Sequence, residues 1–364
     1  MKRVVVRLAL LAALAATLGG CSDAIYAAID KAQKTATNTL SQTMSVFDIA
    51  VPASGTYYVA AGAIFQGTLS GSTVDWTPNT STTSRPWNPT GLICNAMTLF
   101  GANLYGGFVA SDGTPSLYQS SAGFSFASGA TPLTTQTPGE QITSLSAANG
   151  RLFVGGASFS SASNAYVYQL ESSATGTAPW NTIFSPGQAY PFVPVFYDGT
   201  SYWTASNATL FQGNAALTFL ANPAQSWSTI NGVFAAPVGV VIVATKSNGV
   251  YYSLNGGGAW TQVQPDHQGS VTVSYLCVSP AIATGIYLVG SDGYGYYTLN
   301  TSAGTLSRYG DSTTALYSAS VSRIVLDTSS NVVLMGTNAK GLWRTVYDSG
   351  NGNVPASGQS WINE

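Results

Sequence analysis

The chain contains 364 residues, of which 45% are hydrophobic, 12% aromatic and only 7% charged, and its formal net charge is -2. Disorder requires low hydrophobicity with high net charge, so this composition excludes a disordered chain. It also argues against a nucleic-acid partner, because there is no excess of basic residues to neutralise phosphates. The 39 Gly, 20 Tyr, 14 Phe and 8 Trp residues favour short strands joined by tight turns. We therefore expect an all-β protein.

The first 20 residues have the pattern of a secretory signal. Lys2, Arg3 and Arg7 precede an apolar stretch at residues 8–18. This stretch of about 11 residues is shorter than the roughly 20 that a membrane-spanning helix needs. We expect residues 1–20 to be a cleaved signal rather than a transmembrane anchor.

The motif Leu18-Gly19-Gly20-Cys21 resembles the lipobox of bacterial lipoproteins. The resemblance implies that the thiol of Cys21 is diacylglycerylated and that Cys21 becomes the new N-terminus. Acyl chains would then hold a monomeric, otherwise soluble protein on a lipid bilayer. By the same analogy, Ser22 at the second mature position favours the outer membrane of a bacterial cell envelope.

Residues 21–44 differ from the rest of the chain and predict a lipidated tether with a short helix. Ser22 can cap a helix in which Ile25, Ala28 and Ile29 recur at helical spacing. The helix could act as a spacer between the bilayer and the next domain, or it could pack on that domain. The sequence favours neither alternative.

Residues 45–364 repeat one pattern seven times: an apolar run, a turn of small residues, and a second apolar segment with an aromatic residue. The repeated aromatic positions are Phe65, Tyr118, Tyr168, Phe211, Tyr252, Tyr297 and Trp343. Their average spacing is about 46 residues, which is also a seventh of this part of the chain. The repeats therefore fill the whole region.

Each repeat has room for four strands. In the fifth copy the segments VFAAP, VVIVAT, VYYSL and AWTQV are separated by turns rich in Gly or Asn-Gly. A four-stranded unit at this period predicts a seven-bladed β-propeller. A β-solenoid usually has shorter repeats, and two stacked sandwiches would not predict seven aligned aromatic residues. The sequence does not decide whether the ring closes by exchange of a strand between the first and last repeats. Residues 45–49 could form such an exchanged strand or could belong to the first repeat.

The segment SLNGGGAW, from Ser253 to Trp260, resembles the Asp-box (BNR) turn of sialidase-type propellers, with Asn255 in place of the Asp. In that family the box is a structural hairpin between the third and fourth strands of a blade. The resemblance therefore implies a fold and says nothing about catalysis. The chain as a whole is also similar to propeller lipoproteins of spirochaete-type bacteria, most of which have no assigned activity.

The sequence offers little for catalysis or for metal binding. A sialidase site begins with an Arg-Ile-Pro segment, which is absent here. His267 is the only histidine, so a multi-histidine metal site is excluded and Ser-His-Asp chemistry would depend on His267 beside Asp266. Asp112 and Asp292 precede glycines and fit turns better than calcium loops. We expect no catalytic residues, no metal, no cofactor and no enzymatic activity, with a small residual chance of a glycosidase-like activity.

Cys94 and Cys277 lie in separate apolar segments. Export would permit a disulfide between them, but nothing in their spacing requires one. We favour two small buried thiols.

With catalysis and metal binding disfavoured, the remaining function class is ligand or partner binding. Propellers commonly bind ligands on one face. The loops between second and third strands meet the connections between blades there. Candidate ligand-binding residues in those loops are Arg85, Trp87, Tyr190, Lys246, Asp266, His267, Asp292, Tyr294, Asp311 and Lys340. Trp87 and Tyr294 would suit a sugar or a protein hot spot if their rings are exposed.

Three hypotheses for function follow. The first is a non-enzymatic lipoprotein whose propeller presents a binding face to a protein or glycan at the cell envelope. The second is a periplasmic assembly or scaffolding factor for outer-membrane proteins, which could act through strand addition to an open blade edge. The third is a hydrolase with an unrecognised site.

Overall fold

The computed structural model describes residues 40–78, 80–81, 85–87, 92–109, 116–121, 123–126, 130–133, 141–264 and 272–364. Regular structure in these residues is β-strand, apart from one 3₁₀ turn at Ala315–Ser318. This confirms the all-β prediction. No helix in this part of the chain is long and apolar enough to cross a membrane. Cys21 and nearly all of the predicted tether lie outside the described residues.

The strands form antiparallel meanders of four, in which each strand pairs with the next along the chain. One bridge, between Val109 and Gln141, also joins the second and third meanders into a single sheet. The first meander contains β1 (Asp48–Ala53), β2 (Thr56–Ala61), β3 (Ala63–Ser70) and β4 (Thr73–Pro78). A short ribbon of β5 (Thr80–Ser81) and β6 (Arg85–Pro86) follows. The second contains β7 (Ile93–Phe100), β8 (Asn103–Val109), β9 (Leu117–Gln119) and β10 (Thr131–Leu133). The third contains β11 (Gln141–Ala148), β12 (Arg151–Ser160), β13 (Ala165–Ser173) and β14 (Asn181–Gln188).

Four further meanders complete the described strands. The fourth contains β15 (Phe196–Tyr197), β16 (Tyr202–Ser206), β17 (Thr209–Gly213) and β18 (Phe219–Ala221). The fifth contains β19 (Ile230–Ala236), β20 (Val240–Thr245), β21 (Val250–Ser253) and β22 (Thr261–Val263). The sixth contains β23 (Tyr275–Ala283), β24 (Ile286–Ser291), β25 (Tyr296–Asn300) and β26 (Thr305–Arg308). The seventh contains β27 (Val321–Asp327), β28 (Val332–Thr337), β29 (Leu342–Val346) and β30 (Ile362–Asn363).

The first strands of the meanders form the inner wall of a ring. β1 contacts β7, and contacts continue from β7 through β11, β15, β19 and β23 to β27. β27 in turn contacts β1, which closes the ring around a central channel. Hydrophobic clusters lie between neighbouring meanders, as in the cluster that joins β20 and β21 to β24 and β25. The core is therefore divided into layers between sheets.

The second strands explain the shape of one face of the ring. Several end in a small residue followed by a hydroxyl residue, as in the pairs Ala244-Thr245, Gly290-Ser291 and Gly336-Thr337. In these three pairs the hydroxyl donates a hydrogen bond to the carbonyl of the glycine four residues later, at 2.7, 2.8 and 2.7 Å respectively. Each bond closes the turn to the third strand. The loops on this face therefore have a defined conformation.

The Asp-box-like segment forms the turn between β21 and β22. Ser253 Oγ donates to Asn255 Oδ1 at 2.9 Å and accepts the Gly257 N–H at 2.9 Å. Asn255 Oδ1 also accepts the Ala259 N–H at 2.8 Å. The segment lies between a third and a fourth strand, and these hydrogen bonds close the turn.

Each described meander takes its four strands from one continuous stretch of chain, so the ring closes without strand exchange. Val46 N–H donates to Thr337 O at 2.9 Å, which places the segment before β1 along the seventh meander. Asp327 Oδ2 accepts the Gly55 N–H at 2.8 Å. Burial acts to raise the pKa of Asp327, but hydrogen bonds from Gly55 and Ser330 hold it below its usual value. Side-chain bonds thus join the first and last meanders.

Both described cysteines are free and buried, as the sequence favoured. Burial raises the pKa of Cys277 to about 12 and that of Cys94 well above its usual value. Neither thiol is therefore reactive in the folded protein at neutral pH.

Candidate binding face

The turns between second and third strands lie beside the segments that lead into the first strands. In three successive meanders a residue of that turn donates its N–H to a carbonyl just before the first strand. The bonds are Lys246 to Thr229 at 2.8 Å, Asp292 to Ser274 at 2.8 Å and Asn338 to Ser320 at 3.0 Å. We call this side of the ring the entry face, because every first strand starts there.

An open chamber of about 500 Å³, the outer chamber, lies at the mouth of the channel on the entry face. It is lined by the starts of several first strands and by the second-to-third-strand turns of the fourth and seventh meanders. The lining residues are Thr143, Ser144, Tyr190, Pro191, Phe192, Val193, Pro194, Asn207, Thr229, Ile230, Asn231, Leu276, Ser322, Arg323 and Asn338. Its surface combines apolar patches with amide side chains, which suits peptide or ligand recognition.

A second cavity of about 260 Å³, the inner chamber, lies further along the first strands. It is lined by Asp48, Met97, Thr98, Leu145, Ser146, Ala147, Pro194, Val195, Phe196, Phe234, Cys277, Val278, Pro280, Arg323, Ile324, Val325 and Leu326. Pro194 and Arg323 line both chambers, so the two are neighbouring parts of the channel. All seven first strands or the residues next to them contribute to this wall.

Arg323 and Asp48 form an ion pair across the junction of the first and last meanders. Arg323 Nε lies 3.0 Å from Asp48 Oδ1, and the two side chains are 27% and 8% exposed. Asp48 also accepts backbone N–H groups, from Ile49 at 2.9 Å and from Met97 at 2.8 Å. Burial raises the pKa of Asp48 above its usual value, while Arg323 and these hydrogen bonds oppose the increase.

Aromatic side chains stand above the entry face. Tyr190 lines the outer chamber and is 51% exposed, although Ser206 Oγ fixes its backbone by donating to Tyr190 O at 2.9 Å. The hairpin of β12 and β13 projects past the start of β11, since Ala157 already pairs with Gln141, the first residue of β11. Its projecting part carries Phe159, which is 46% exposed and packs against Tyr166 with ring centroids 5.6 Å apart.

We call Phe159, Tyr166 and Tyr190 the aromatic rim. Gln141 Nε2 donates to the hydroxyl of Tyr166 at 3.0 Å, which ties the projecting hairpin to the start of β11. Aromatic side chains that are held in place lose little conformational freedom on binding. Of these residues, Tyr190 lines the outer chamber, and Phe159 and Tyr166 stand on the projecting hairpin.

Trp87 is not exposed, which corrects one expectation from the sequence. Its side chain is 8% exposed and packs against Phe108, Tyr118 and Phe126 with ring centroids 4.8 to 5.4 Å apart. Its carbonyl accepts the Ile64 N–H at 3.2 Å. The neighbouring aromatic rings cover the indole of Trp87. Trp87 therefore offers no ring face to a ligand.

Tyr294 is only half-buried, but its contacts are internal. Arg308 donates to the Tyr294 carbonyl at 3.0 Å and lies 5.1 Å from the centre of its ring. The same guanidinium stacks on Tyr317 at 3.6 Å. Tyr294 also packs against the core between the fifth and sixth meanders. The ring is therefore part of the loop packing.

The charged candidates on the last meanders mainly hold loops. Lys340 Nζ donates to Ser318 O and Ser318 Oγ, both at 2.8 Å. Asp311 Oδ1 accepts from the backbone N–H of Thr313 at 2.9 Å, and hydrogen bonds from Thr313 lower the pKa of Asp311. Asp292 accepts the Ser320 hydroxyl at 2.5 Å. These side chains give shape to the entry face more than they present free charge.

The remaining candidates divide into exposed and undescribed positions. Lys246 is exposed on the entry face. Arg85 belongs to β6, but its side chain lies outside the described part of the structure, and so do Asp266 and His267 entirely. Tyr190 is thus the candidate that the structure places at the chamber. Among the described residues, no group of three or more His, Cys, Asp or Glu side chains could hold a metal ion.

Sequence reasoning missed Arg323 and Asp48. Both are charged residues next to apolar residues in first strands, Arg323 in VSRIVLD and Asp48 at the start of DIAVPA. A charge at such a position is the signal that could have found them, because charged residues are rarely buried without a partner.

No family model and no curated protein matches the sequence. Solved structures do match the fold. A structure of YCF48 bound to D1 peptide has a TM-score of 0.62 at 13% identity and covers 85% of this chain and 94% of its own. The WD40 β-propeller domain of Doa1 has a TM-score of 0.60 at 10% identity, covering 84% and 94%. YCF48 from Cyanidioschyzon merolae has a TM-score of 0.56 at 12% identity, covering 84% and 96%. The chain is therefore a β-propeller.

Proposed function

We propose that the protein is a non-enzymatic, lipid-anchored propeller that binds a protein partner on its entry face. The observation that carries this proposal is the exposed Tyr190, which lines the outer chamber. Aromatic anchors next to a pocket are typical of binding hot spots. One similar structure, YCF48, is bound to a peptide, which supports a protein partner over a glycan.

The ring proposed here has seven blades, one for each four-stranded meander. The contacts of seven first strands in a closed circuit support this number. The Asp-box-like turn supports a relation to sialidase-type propellers, since it lies between a third and a fourth strand. The chemistry of the chambers supports binding rather than catalysis, because their described lining contains one arginine and one aspartate, which are paired with each other.

Replacing Tyr190 by Ser should reduce capture of the partner at least tenfold, because a central aromatic anchor is worth about 2 kcal/mol or more. The measurement is crosslinking of the full chain in intact cells, followed by quantification of each crosslinked protein. Leu220→Ser is the matched control, since Leu220 is 70% exposed on the outer strand β18, away from the chamber. Equal capture by wild type and Tyr190→Ser would contradict the choice of face.

The place of the partner depends on the position of the domain in the envelope. We propose an outer-membrane anchor through Cys21, supported by the lipobox-like motif and by Ser22 after it. Protease cleavage of a tag inserted in a blade loop shows whether the domain lies on the cell surface or in the periplasm. Cleavage on intact cells indicates a surface partner, whereas protection until permeabilisation favours a role in periplasmic assembly.

Lipidation of Cys21 has its own test. Cells fed an alkyne-bearing fatty acid should label the wild-type protein, and Cys21→Ser should abolish both the label and sedimentation with the membrane fraction. Cys94→Ser and Cys277→Ser are matched controls, because both of these thiols are buried in the fold. Labelling that persists in Cys21→Ser would refute the anchor.

A further inference from the structure

Arg323 occupies the junction of the two chambers and has unused donors. Its Nε faces Asp48 Oδ1 at 3.0 Å, and its side chain is 27% exposed. Within the described residues, no hydrogen bond is made by its two terminal nitrogens, Nη1 and Nη2. Because Arg323 lines both chambers, this edge of the guanidinium is available to a ligand in the channel.

Asp48 orients Arg323 without consuming those donors. One Asp48 oxygen accepts the Ile49 N–H and the other accepts the Met97 N–H, so the carboxylate is fixed in the channel wall. A guanidinium whose Nε faces the carboxylate leaves Nη1 and Nη2 as a planar pair of donors. That geometry matches the two oxygens of a carboxylate better than it matches a neutral head group.

The inner chamber beside Arg323 has mainly apolar walls. Leu145, Val195 and Phe234 come from three different meanders, and Val278 and Leu326 from two more. The thiol of Cys277 in the same wall is neutral, since burial raises its pKa to about 12. A volume of about 260 Å³ accepts a short hydrocarbon chain, and burial of that chain is favourable.

We propose that the channel binds an amphiphilic monocarboxylate. The carboxylate head pairs with the Nη edge of Arg323, and an unbranched apolar tail fills the inner chamber. This small-molecule site is separate from the partner-binding role of the aromatic rim, which does not require Arg323. Failure of one assignment therefore leaves the other intact.

Calorimetric titration of the full chain with octanoate tests the proposal. Octanoate should bind saturably with one molecule per chain, while octanol and acetate should each bind at least tenfold more weakly. In a series of longer carboxylates, affinity should rise about fourfold per methylene and level off when the inner chamber is full. Octanol binding as tightly as octanoate, or no binding of octanoate, would overturn the proposal.

Variants assign the head group. Arg323→Gln should weaken octanoate binding at least tenfold, whereas Arg151→Gln removes the same charge from the start of β12, outside both chambers, and should change nothing. Because Arg323→Gln leaves Asp48 unpaired, the neutral double variant Asp48→Asn with Arg323→Gln provides a second measurement. Unchanged octanoate affinity in the double variant would refute the role of Arg323.

Discussion

Replacing Glu364 by Ala is expected to lower the free energy of unfolding by about 3–5 kcal/mol. Arg344 Nε lies 2.6 Å from Glu364 Oε1, and the two side chains are only 4% and 8% exposed. Removing one partner leaves the other charge buried without compensation, which costs more than the intact pair contributes. Urea unfolding of the full chain, followed by intrinsic fluorescence, measures the change.

The effect should be large because this pair also joins the first and last meanders. Glu364 Oε2 accepts the indole N–H of Trp76 at 3.0 Å, and Arg344 Nη2 donates to Ser72 O at 2.8 Å. Trp76 belongs to β4 and Arg344 to β29. Among the described strands, none from one end of the chain completes the meander at the other end. Side-chain bonds such as these therefore take the place of the backbone pairing that a shared strand would provide.

Two comparisons test this interpretation of the Glu364 result. Asp75→Ala removes an exposed carboxylate from the same strand as Trp76 and should change stability by no more than about 0.5 kcal/mol. The double variant Arg344→Met with Glu364→Leu removes both charges and should lose less than the sum of the single variants. Similar losses for Glu364→Ala and Asp75→Ala would contradict a buried ion pair at the closure.

Much of the fold could be predicted because its signals are local. All seven aromatic positions that repeat in the sequence lie on third strands, from Phe65 on β3 to Trp343 on β29. Residues of a four-stranded meander are close in sequence, so hydrophobic periodicity and turn residues are enough to position the strands. The buried state of Cys94 and Cys277 followed from their apolar surroundings in the same way.

The candidate site was harder to predict because its residues meet only when the ring closes. Asp48 and Arg323 come from the first and last repeats, and no local pattern links them. For Trp87, the sequence could locate the residue but could not predict whether its ring is exposed. An aromatic residue in a connection can face solvent or fold back on its blade, and the choice depends on rings such as Phe108 and Phe126 that other segments provide. Tyr190 could be selected from loop position alone, since half of its surface stays exposed in the fold.

Packing between neighbouring blades depends on glycines in second strands. A Cβ added at Gly290, on β24, would lie 2.6 Å from Cys277 Sγ and closer still to the carbonyl oxygen of Val321 on β27. Real Cβ atoms do not approach this closely, and backbone in the next blade cannot move as a flexible side chain would. The absence of a side chain at Gly290 therefore sets the distance between the sixth and seventh meanders.

Gly290→Ala is accordingly expected to cost stability at the upper end of the range of about 1–3 kcal/mol that overpacking produces. Gly310→Ala is the matched control, since a Cβ there has nothing within 4 Å and its backbone is not left-handed. Because alanine restricts the unfolded chain, that variant should be neutral or more stable by about 0.4–1 kcal/mol. Urea midpoints of the two variants give the comparison. A Gly290→Ala protein as stable as Gly310→Ala would mean that neighbouring blades can separate at little cost, and that the spacing of the ring is set by the closure contacts rather than by the glycines between blades.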